Sequence, residues 1–389
     1  MGGSRIEWVI ENCRLLAGIG KEFDSSRPFA ALRIGTGIHL EPKTVALLLT
    51  LQRGGAEVVS TGNLASTQPE AVAYLRANGV QVVGGPTTDE AEHDSHLREV
   101  LACDPDLILD NGGDLFVRYL EAPYGHLLGG TEETTSGRMR LAPLRGQIGR
   151  PLLVINDSSI KQVAENYHAV GQSVLESFLR ITNKMTNGRR VAVFGYGACG
   201  KGVAVNFKNA FASVRVVETD PVRRLEAHLD GFAAPDRAEA LAEADVVVTV
   251  TGARDVVTAA DLALLRDGVI LANAGHFPAE IAVAEISAHP SVKDVYGSGE
   301  GIETLLLEDG RKIHILAGGY MVNLNGPRPL GNSIESMDLG FALQARCLEA
   351  IALGKLSTAD VVVPVPRWIE EAVAGAYLAG LRGRARARR

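Results

Sequence analysis

The sequence has few of the residues that build disulfide-stabilised proteins and none of the long apolar runs that cross membranes. It contains four cysteines in 389 residues, far apart and without a Cys-x-x-Cys pair, namely Cys13, Cys103, Cys199 and Cys347. This spacing excludes a disulfide framework and is typical of a reducing compartment. There is no run of about 18 apolar residues and no stretch that resembles a signal peptide. We therefore expect a cytoplasmic protein that contacts no membrane.

Basic residues do not dominate the sequence either. The net charge is −7 and the isoelectric point is about 5.8, which gives no electrostatic reason for nucleic-acid binding. The one dense basic run, Arg382 to Arg389, is expected to be a solvated tail, with a polyanion-binding arm as the alternative. The histidines within Glu92 to His96 have no second ligand cluster, so no metal site is predicted. A hydrophobic content of 46% in a chain of this length predicts two globular domains.

A glycine-rich turn in the middle of the chain carries the first functional signal. Residues Val191 to Gly202 read VAVFGYGACGKG, an apolar run followed by a helix-like stretch. Gly195 would allow the tight turn, Gly197 a close approach to a pyrophosphate, and Gly200 close packing of the helix on the strand. The N–H groups at the start of that helix would face the phosphates. The pattern predicts a dinucleotide site, and an ordinary strand-to-helix turn is the alternative.

An acidic residue at the end of the next apolar segment narrows the choice of dinucleotide. Residues 212–217 read as a second strand, and Glu218 follows it, eighteen positions beyond Gly200. A carboxylate at this place accepts hydrogen bonds from both ribose hydroxyls and repels a 2′-phosphate. We therefore predict NAD rather than NADP, with a solvated strand end as the alternative for Glu218.

Apolar segments and helical patterns alternate along the chain, which predicts an α/β fold with parallel sheets. Polar residues follow several of the strands, at the edge where such sheets bind ligands: His39, Asn63, Asn111 and Asp114. Helices are predicted at residues 6–18, 42–53, 70–78, 94–102, 333–353 and 367–381, and strands at 31–35, 56–60, 81–84, 107–110, 245–250, 268–272, 302–307 and 312–317. The last two helices lie outside the alternation, and we expect them to pack on the first domain.

Seven separated strings together resemble motifs of the S-adenosylhomocysteine hydrolases, and the likeness covers nearly the whole chain. The resemblance implies two Rossmann-like domains, with an NAD-binding domain inserted into a substrate-binding domain. The predicted boundaries are 1–170 for the substrate domain, 171–332 for the NAD-binding domain and 333–389 for returning C-terminal helices. The strings are STGNLASTQ (60–68), LDNGGDL (109–115), EETTSG (132–137), INDSSIK (155–161) with Glu165-Asn166, GYGACGKG (195–202), ANAGHF (272–277) and VNL (322–324).

The resemblance also implies a reaction. In this family, NAD⁺ takes hydride from the ribose 3′-hydroxyl, the ketone acidifies the neighbouring carbon, the 5′ substituent leaves, water adds and the hydride returns. By resemblance, Lys161 would assist deprotonation of the 3′-hydroxyl, and Glu133 and Glu165 would bind the sugar hydroxyls. His39 and His276 would act near the leaving group. The residues expected to hold NAD, besides the three glycines of the turn, are Thr134, Thr135, Ser136, Asn166, Glu218, Asn273 and Asn323.

The sequence departs from the family pattern where the family places an acid/base residue and where it reads adenine. The second Asp of the family's LDDGGDL is Asn111 here, and an amide cannot accept a proton at physiological pH. His39, Lys161 and Glu133 are the candidates for a replacement base. In the adenine-reading segment a Thr has become Glu41 and the base-contacting Glu has become Lys43, which favours an acceptor such as a carbonyl, carboxylate or phosphate.

Two further segments differ from the family. The family's histidine gate is replaced by residues 325–332, in which Arg328 would recognise an anion or remain a solvated loop residue. We expect Glu41, Lys43, Asn63 and Arg328 to contact the substrate. The family's C-terminal segment, which reaches the NAD of a neighbouring subunit, is replaced by the Arg-rich tail. A homodimer or homotetramer is still expected.

We predict an NAD-dependent enzyme that transiently oxidises a secondary hydroxyl of a nucleoside- or sugar-like small molecule other than adenosine. The ketone would drive elimination, addition or epimerisation at the next carbon. One alternative is a true adenosylhomocysteinase, which converts S-adenosylhomocysteine to adenosine and homocysteine. The other is a non-catalytic NAD-binding homologue that regulates a partner.

Overall fold

A computed structural model describes residues 4–275 and 279–387 of the chain, which divides into two units. Unit 1 is discontinuous in sequence and consists of residues 1–162 and 334–389. Unit 2 is the continuous segment 163–333 between them. Within the described residues, no helix combines the length and the apolar composition that a bilayer crossing requires.

Unit 1 is built on a seven-stranded sheet in which all neighbours are parallel, in the order β14-β6-β5-β4-β1-β2-β3. The strands, numbered along the whole chain, are β1 (Arg33–Ile38), β2 (Glu57–Gly62), β3 (Gln81–Val82), β4 (Leu107–Asp110), β5 (Gly129–Glu132), β6 (Leu152–Val154) and β14 (Val361–Pro364). The central strands are buried along their length, as expected for a parallel sheet covered on both faces.

Helices cover this sheet, and two of them come from the C-terminal part of the chain. They are α1 (Arg5–Asn12), α2 (Arg14–Ser26), α3 (Pro42–Arg53), α4 (Pro69–Ala77), α5 (Glu90–Leu101), α6 (Asp114–Glu121), α7 (Thr135–Leu141), α8 (Arg145–Ile148), α9 (Ser159–Lys161), α16 (Ile334–Ala352) and α17 (Arg367–Ala387). Helix α16 shares one hydrophobic core with α2 and α3. The C-terminal helices therefore complete unit 1.

The predicted single N-terminal helix over residues 6–18 is wrong, because the chain breaks into α1 and α2 at Cys13. The second helix lacks a side-chain cap of its own. Instead, the Asp338 carboxylate of α16 accepts hydrogen bonds from the N–H groups of Leu15 at 2.8 Å and Leu16 at 3.0 Å. A contact from more than 300 residues away thus creates this helix start.

Unit 2 contains a mixed seven-stranded sheet in the order β11-β12-β13-β10-β9-β7-β8, parallel except where β12 pairs with β11 and β13. The strands are β7 (Arg190–Phe194), β8 (Ser213–Val217), β9 (Val246–Thr249), β10 (Val269–Asn273), β11 (Val292–Gly299), β12 (Ile302–Leu307) and β13 (Lys312–Leu316). The helices are α10 (Val170–Thr182), α11 (Ala198–Asn209), α12 (Pro221–Leu229), α13 (Arg237–Glu243), α14 (Val283–Ser287) and α15 (Val322–Asn325), preceded by a π-helical segment at Gln162–Ala169. The predicted α/β class is confirmed.

Candidate active site

Unit 1 gathers polar side chains at the carboxyl edge of its sheet. The strand order reverses between β1 and β4, and such a switch point opens a crevice at the carboxyl ends of the strands. His39 follows β1 and Asn111 follows β4, so these two residues flank the crevice. Asn63 follows β2 and Glu133 follows β5. The topology therefore brings four of the residues predicted for the site to one edge.

These side chains form a continuous run of hydrogen bonds. The Asn63 Nδ2 donates to Asn111 Oδ1 at 2.9 Å, and the Asn111 Nδ2 donates to Glu133 Oε2 at 3.3 Å. In the other direction, Asn63 Nδ2 lies 3.5 Å from His39 Nε2, and His39 Nδ1 lies 2.5 Å from Ser66 Oγ. The Ser66 hydroxyl also lies 3.4 Å from the Asn63 carbonyl, to which it donates. Sequence reasoning missed Ser66, although this serine lies within the STGNLASTQ motif (60–68).

A buried ion pair ends this run. The Lys161 ammonium donates to Glu133 Oε1 at 3.0 Å, and each side chain is 7% exposed. Burial alone would raise the pKa of Glu133, but the charge and hydrogen bond of Lys161 outweigh it, so the pKa is lowered. Glu133 is therefore an anion at neutral pH, and it can only accept hydrogen bonds.

A second carboxylate supports the loop that carries Asn111. Glu132, fully buried, accepts hydrogen bonds from the N–H groups of Gly112 at 3.0 Å and Gly113 at 2.9 Å. It also accepts from the N–H and the hydroxyl of Thr134, both at 2.7 Å. Burial raises the pKa of Glu132, against the effect of these donors. Glu132 therefore fixes the turn after β4, a role that sequence reasoning missed.

Asp110 supports the same loop from the other side. Its buried carboxylate accepts three backbone hydrogen bonds, of 2.9 to 3.1 Å, from Asn111 and the first turn of α6. Burial and the neighbouring Glu132 raise the pKa of Asp110. The signal in the sequence was an acid at the end of a buried strand directly before a predicted site residue. The loop that holds Asn111 is thus fixed from both sides.

The two residues that replace the adenine-reading pattern form an ion pair. Glu41 is the N-cap residue of α3 but its side chain makes no capping hydrogen bond. Its carboxylate lies 2.7 Å from the Lys43 ammonium, and the side chains are 10% and 4% exposed. A buried lysine in the first turn of a helix is doubly unfavourable, because burial and the helix dipole both oppose its charge.

Thr134, Thr135 and Ser136 lie in unit 1, at the start of α7. Thr134 caps this helix by accepting from the Gly137 N–H at 2.9 Å. The Thr135 hydroxyl is exposed and accepts from the Asn156 amide at 2.8 Å. These residues share the carboxyl edge of the unit 1 sheet with Glu133, since they directly follow β5.

In unit 2 the glycine-rich turn follows β7, next to the strand-order reversal between β7 and β9. Gly195 has a φ of +103°, which only glycine adopts readily. A Cβ on Gly200 would lie 2.1 Å from the Gly195 carbonyl oxygen, so strand and helix approach as closely as the motif predicts. A Cβ on Gly197 would meet nothing nearer than 3.9 Å, and no side chain caps α11. Open space before an uncapped helix N-terminus fits a pyrophosphate.

Glu218 stands at the end of β8, half-buried, in the place that a ribose-binding acid takes. Its carboxylate accepts from the N–H groups of Tyr196 at 2.8 Å, Thr219 at 2.7 Å and Asp220 at 3.0 Å. These bonds orient the carboxylate and leave lone pairs for further donors. The turn and Glu218 together therefore fit the adenosine side of a dinucleotide.

The other residues predicted to hold the cofactor lie in separate parts of unit 2. Asn273, fully buried at the end of β10, donates to the Gly319 carbonyl and accepts from the Gly275 N–H. Asn323 of α15 donates to the Ser173 hydroxyl at 3.0 Å. Glu165 is buried and Asn166 half-buried in the π-helical segment.

Arg328 and His276 are the other two predicted residues. The Arg328 side chain is 79% exposed, and Glu300 lies 3.9 Å from it. His276 lies outside the described residues.

Comparison with known proteins identifies relatives of the whole chain. Residues 166–328 match the model of the S-adenosyl-L-homocysteine hydrolase NAD binding domain, and residues 1–123 match the S-adenosyl-L-homocysteine hydrolase model. The chain is 39% identical to S-inosyl-L-homocysteine hydrolase of Methanothermobacter thermautotrophicus, over 88% of this chain and 84% of the relative. It is 37% identical to S-inosyl-L-homocysteine hydrolase of Methanopyrus kandleri, over 96% of this chain and 89% of the relative. It is 36% identical to adenosylhomocysteinase of Thermococcus kodakarensis, over 98% of this chain and 91% of the relative.

Proposed function

The chain belongs to the S-adenosyl-L-homocysteine hydrolase family and is an NAD-dependent enzyme, and we propose that it hydrolyses the homocysteine thioether of a 6-oxopurine nucleoside, as in S-inosyl-L-homocysteine. Relatives named for the inosyl and for the adenosyl substrate are similarly identical to this chain. Identity therefore does not choose between the two bases. The buried Glu41–Lys43 ion pair is the observation that favours the oxo base.

The two bases differ in the hydrogen bonds that they offer at one edge. Adenine presents an amine donor at C6 and an acceptor at N1, whereas hypoxanthine presents a carbonyl acceptor at C6 and a donor at N1. Lys43 can only donate and the Glu41 carboxylate can only accept. Lys43 stands where the family's glutamate accepts from the exocyclic amine, so we place it at C6 and Glu41 at N1. In this arrangement the pair matches the hypoxanthine edge at both atoms, and it mismatches adenine at both.

The size of the preference follows from these two contacts. A buried polar group that is left without a partner costs about 1–3 kcal/mol. Two such mismatches correspond to roughly 30-fold discrimination or more in kcat/KM. Polar contacts of this kind discriminate far better than a difference in apolar size does.

Bound NAD⁺ supplies a hydride acceptor, which the turn at Gly195 and Glu218 would hold. The proton of the 3′-hydroxyl goes to the Lys161–Glu133 pair: Lys161 passes a proton to Glu133 and takes one from the hydroxyl. One proton enters the pair and none leaves, so its net charge rises from 0 to +1 until that proton is returned. A ketone at C3′ then acidifies the hydrogen on C4′.

We assign the remaining proton transfers to His39, because Asn111 cannot accept a proton. His39 takes the C4′ proton and returns it to the sulfur, which leaves with the electron pair of the C5′–S bond. In the second half, water gives a proton to His39 as its oxygen bonds to C5′, and C4′ takes that proton back. His39 ends each half unchanged, as a general acid–base must.

The test is to measure homocysteine release from S-inosyl- and S-adenosyl-L-homocysteine by the NAD-loaded protein. We expect kcat/KM to favour the inosyl substrate by roughly 30-fold or more. The double variant Glu41→Thr/Lys43→Glu should reverse the preference, while Lys21→Glu on the exposed face of α2 should leave it unchanged. A wild-type protein that prefers the adenosyl substrate would refute the proposal.

A second measurement tests the redox cycle. In heavy water, the C4′ hydrogen of the recovered substrate should exchange with solvent, and the cofactor absorbance should rise transiently at the wavelength of the reduced form. Lys161→Ala should abolish both signals. Turnover without C4′ exchange would show that another chemistry operates.

A further inference from the structure

We infer that the hydrogen bonds running from Glu133 through Asn111 and Asn63 to His39 and Ser66 have one fixed direction and hold His39 in its Nδ1–H tautomer. This inference deepens the proposed function, since it concerns the residue to which we assign the proton transfers. The contacts at each step are 3.3 Å, 2.9 Å, 3.5 Å and 2.5 Å. Asn111, Asn63 and Ser66 would be positioning residues for His39.

The donor–acceptor direction of these hydrogen bonds is set first at the Lys161–Glu133 ion pair. The Glu133 carboxylate, held by Lys161, can only accept, so Asn111 must turn its NH₂ group toward it. The Asn111 oxygen then faces Asn63, which must present its own NH₂ group. The same NH₂ group faces His39 Nε2, so this nitrogen must be the acceptor. Each step leaves one choice, because an amide has one donor end and one acceptor end.

The contacts of Ser66, on the Nδ1 side of the His39 ring, require the same tautomer. Its oxygen lies 3.4 Å from the Asn63 carbonyl, which can only accept, so the Ser66 hydroxyl donates to that carbonyl. The Ser66 oxygen therefore accepts from His39 Nδ1–H. Two independent constraints thus place the proton on Nδ1 and the lone pair on Nε2.

Asn111 links Glu133 to Asn63 by hydrogen bonds of fixed direction and, as a neutral amide, adds no charge. A carboxylate in its place would stand 3.3 Å from Glu133 and would add a second negative charge beside it. The titratable groups on the elements around His39 include Glu133 after β5, Lys161 of α9, the Glu41–Lys43 pair at the start of α3, and the buried Asp110 and Glu132 at the ends of β4 and β5.

The direct test is the tautomer of His39, measured by nitrogen NMR on full-length protein with ¹⁵N-labelled histidine. The His39→Gln variant assigns the signal among the nine histidines. We expect a protonated Nδ1 and an unprotonated Nε2 in the wild type at pH 8. Ser66→Ala and Asn111→Leu should each convert the signal to a mixture of tautomers, whereas Asn78→Asp, on the exposed end of α4, should leave it unchanged. An Nε2–H tautomer in the wild type would overturn the inference, and so would an unchanged signal in both variants.

Kinetics give a second readout. Asn111→Leu should lower kcat by on the order of 10²-fold with little change in KM, since a misdirected base loses its contribution but the substrate still binds. Asn111→Asp should shift the acidic limb of the kcat profile to higher pH, because an added anion favours protonated His39. If the protein hydrolyses neither thioether, the proposed function fails and the NMR experiment still decides the tautomer. If the pH profile of kcat for Asn111→Asp is identical to that of the wild type, the inference that Asn111 is linked to His39 by these hydrogen bonds is contradicted.

Discussion

Replacing Lys161 with methionine should separate the structural role of the buried ion pair from its role in catalysis. Methionine retains most of the length of the side chain but removes the charge that compensates Glu133. The Glu133 carboxylate would then be buried without a compensating charge, with Asn111 donating to it at 3.3 Å. Breaking a buried pair by removing one partner costs about 3–5 kcal/mol. We expect a loss of this size in the free energy of unfolding at pH 8.

The loss should depend on pH in a defined direction. In the wild type, the lowered pKa of Glu133 contributes stability above the pKa of the unfolded state, and this contribution disappears as the pH falls through the folded-state value. In Lys161→Met, burial raises the pKa of Glu133 instead, so the penalty disappears as the glutamate becomes protonated. The difference between the two proteins should therefore be large at pH 8 and small near pH 4.5.

Urea unfolding at both pH values, with the double variant Lys161→Met/Glu133→Leu as the control, measures this difference. The double variant should recover most of the stability at pH 8, because no buried charge remains, yet it should show no reduction of the bound cofactor by substrate. If Lys161→Met is as stable as the wild type at pH 8, the reasoning fails. It also fails if the double variant stays as unstable as the single one.

Three further changes test other parts of the structure. Glu218→Ser should weaken NAD binding by roughly tenfold and reduce the preference of the protein for NAD over NADP. Calorimetric titration with both cofactors measures the two affinities. Gly200→Ala should abolish NAD binding, because its Cβ would lie 2.1 Å from the Gly195 carbonyl oxygen, whereas Gly297→Ala, with open space around it, should bind normally. Burial raises the pKa of Asp338 to about 6, so the wild type should lose about 2.5 kcal/mol of unfolding free energy relative to Asp338→Asn between pH 4 and pH 7, as urea unfolding would show.

Segments with a strong apolar pattern were predicted from the sequence alone. The helix Pro42–Arg53 and the strand Leu107–Asp110 have the predicted bounds, because an apolar helical repeat with proline at its start and a short buried run are both unambiguous. Strand β5 was missed, since Gly-Gly-Thr-Glu carries no such pattern. A Cβ on Gly130 would lie 2.0 Å from the Ile108 carbonyl oxygen, so close strand packing requires glycine there.

The candidate site was predictable where residues follow strands and less so where they depend on partners. His39, Asn63 and Asn111 could be placed at one sheet edge because parallel strands end together. The supporting carboxylates Asp110 and Glu132 were not recognised, because their role is to accept backbone hydrogen bonds that only the folded loop presents. The catalytic and binding roles of the predicted residues remain predictions.

The discontinuity of unit 1 has a consequence for how the chain matures on the ribosome. Residues 1–162 emerge first, but the core of this unit also needs α16, in which 12 of 19 residues are buried. All of unit 2 is synthesised in between, and as a continuous segment it can fold during that interval. Until α16 is synthesised, the apolar faces of α2 and α3 in residues 1–162 therefore remain uncovered. Any stop codon before residue 334 would leave those faces open to chaperones and proteases, however complete the nucleotide-binding unit is.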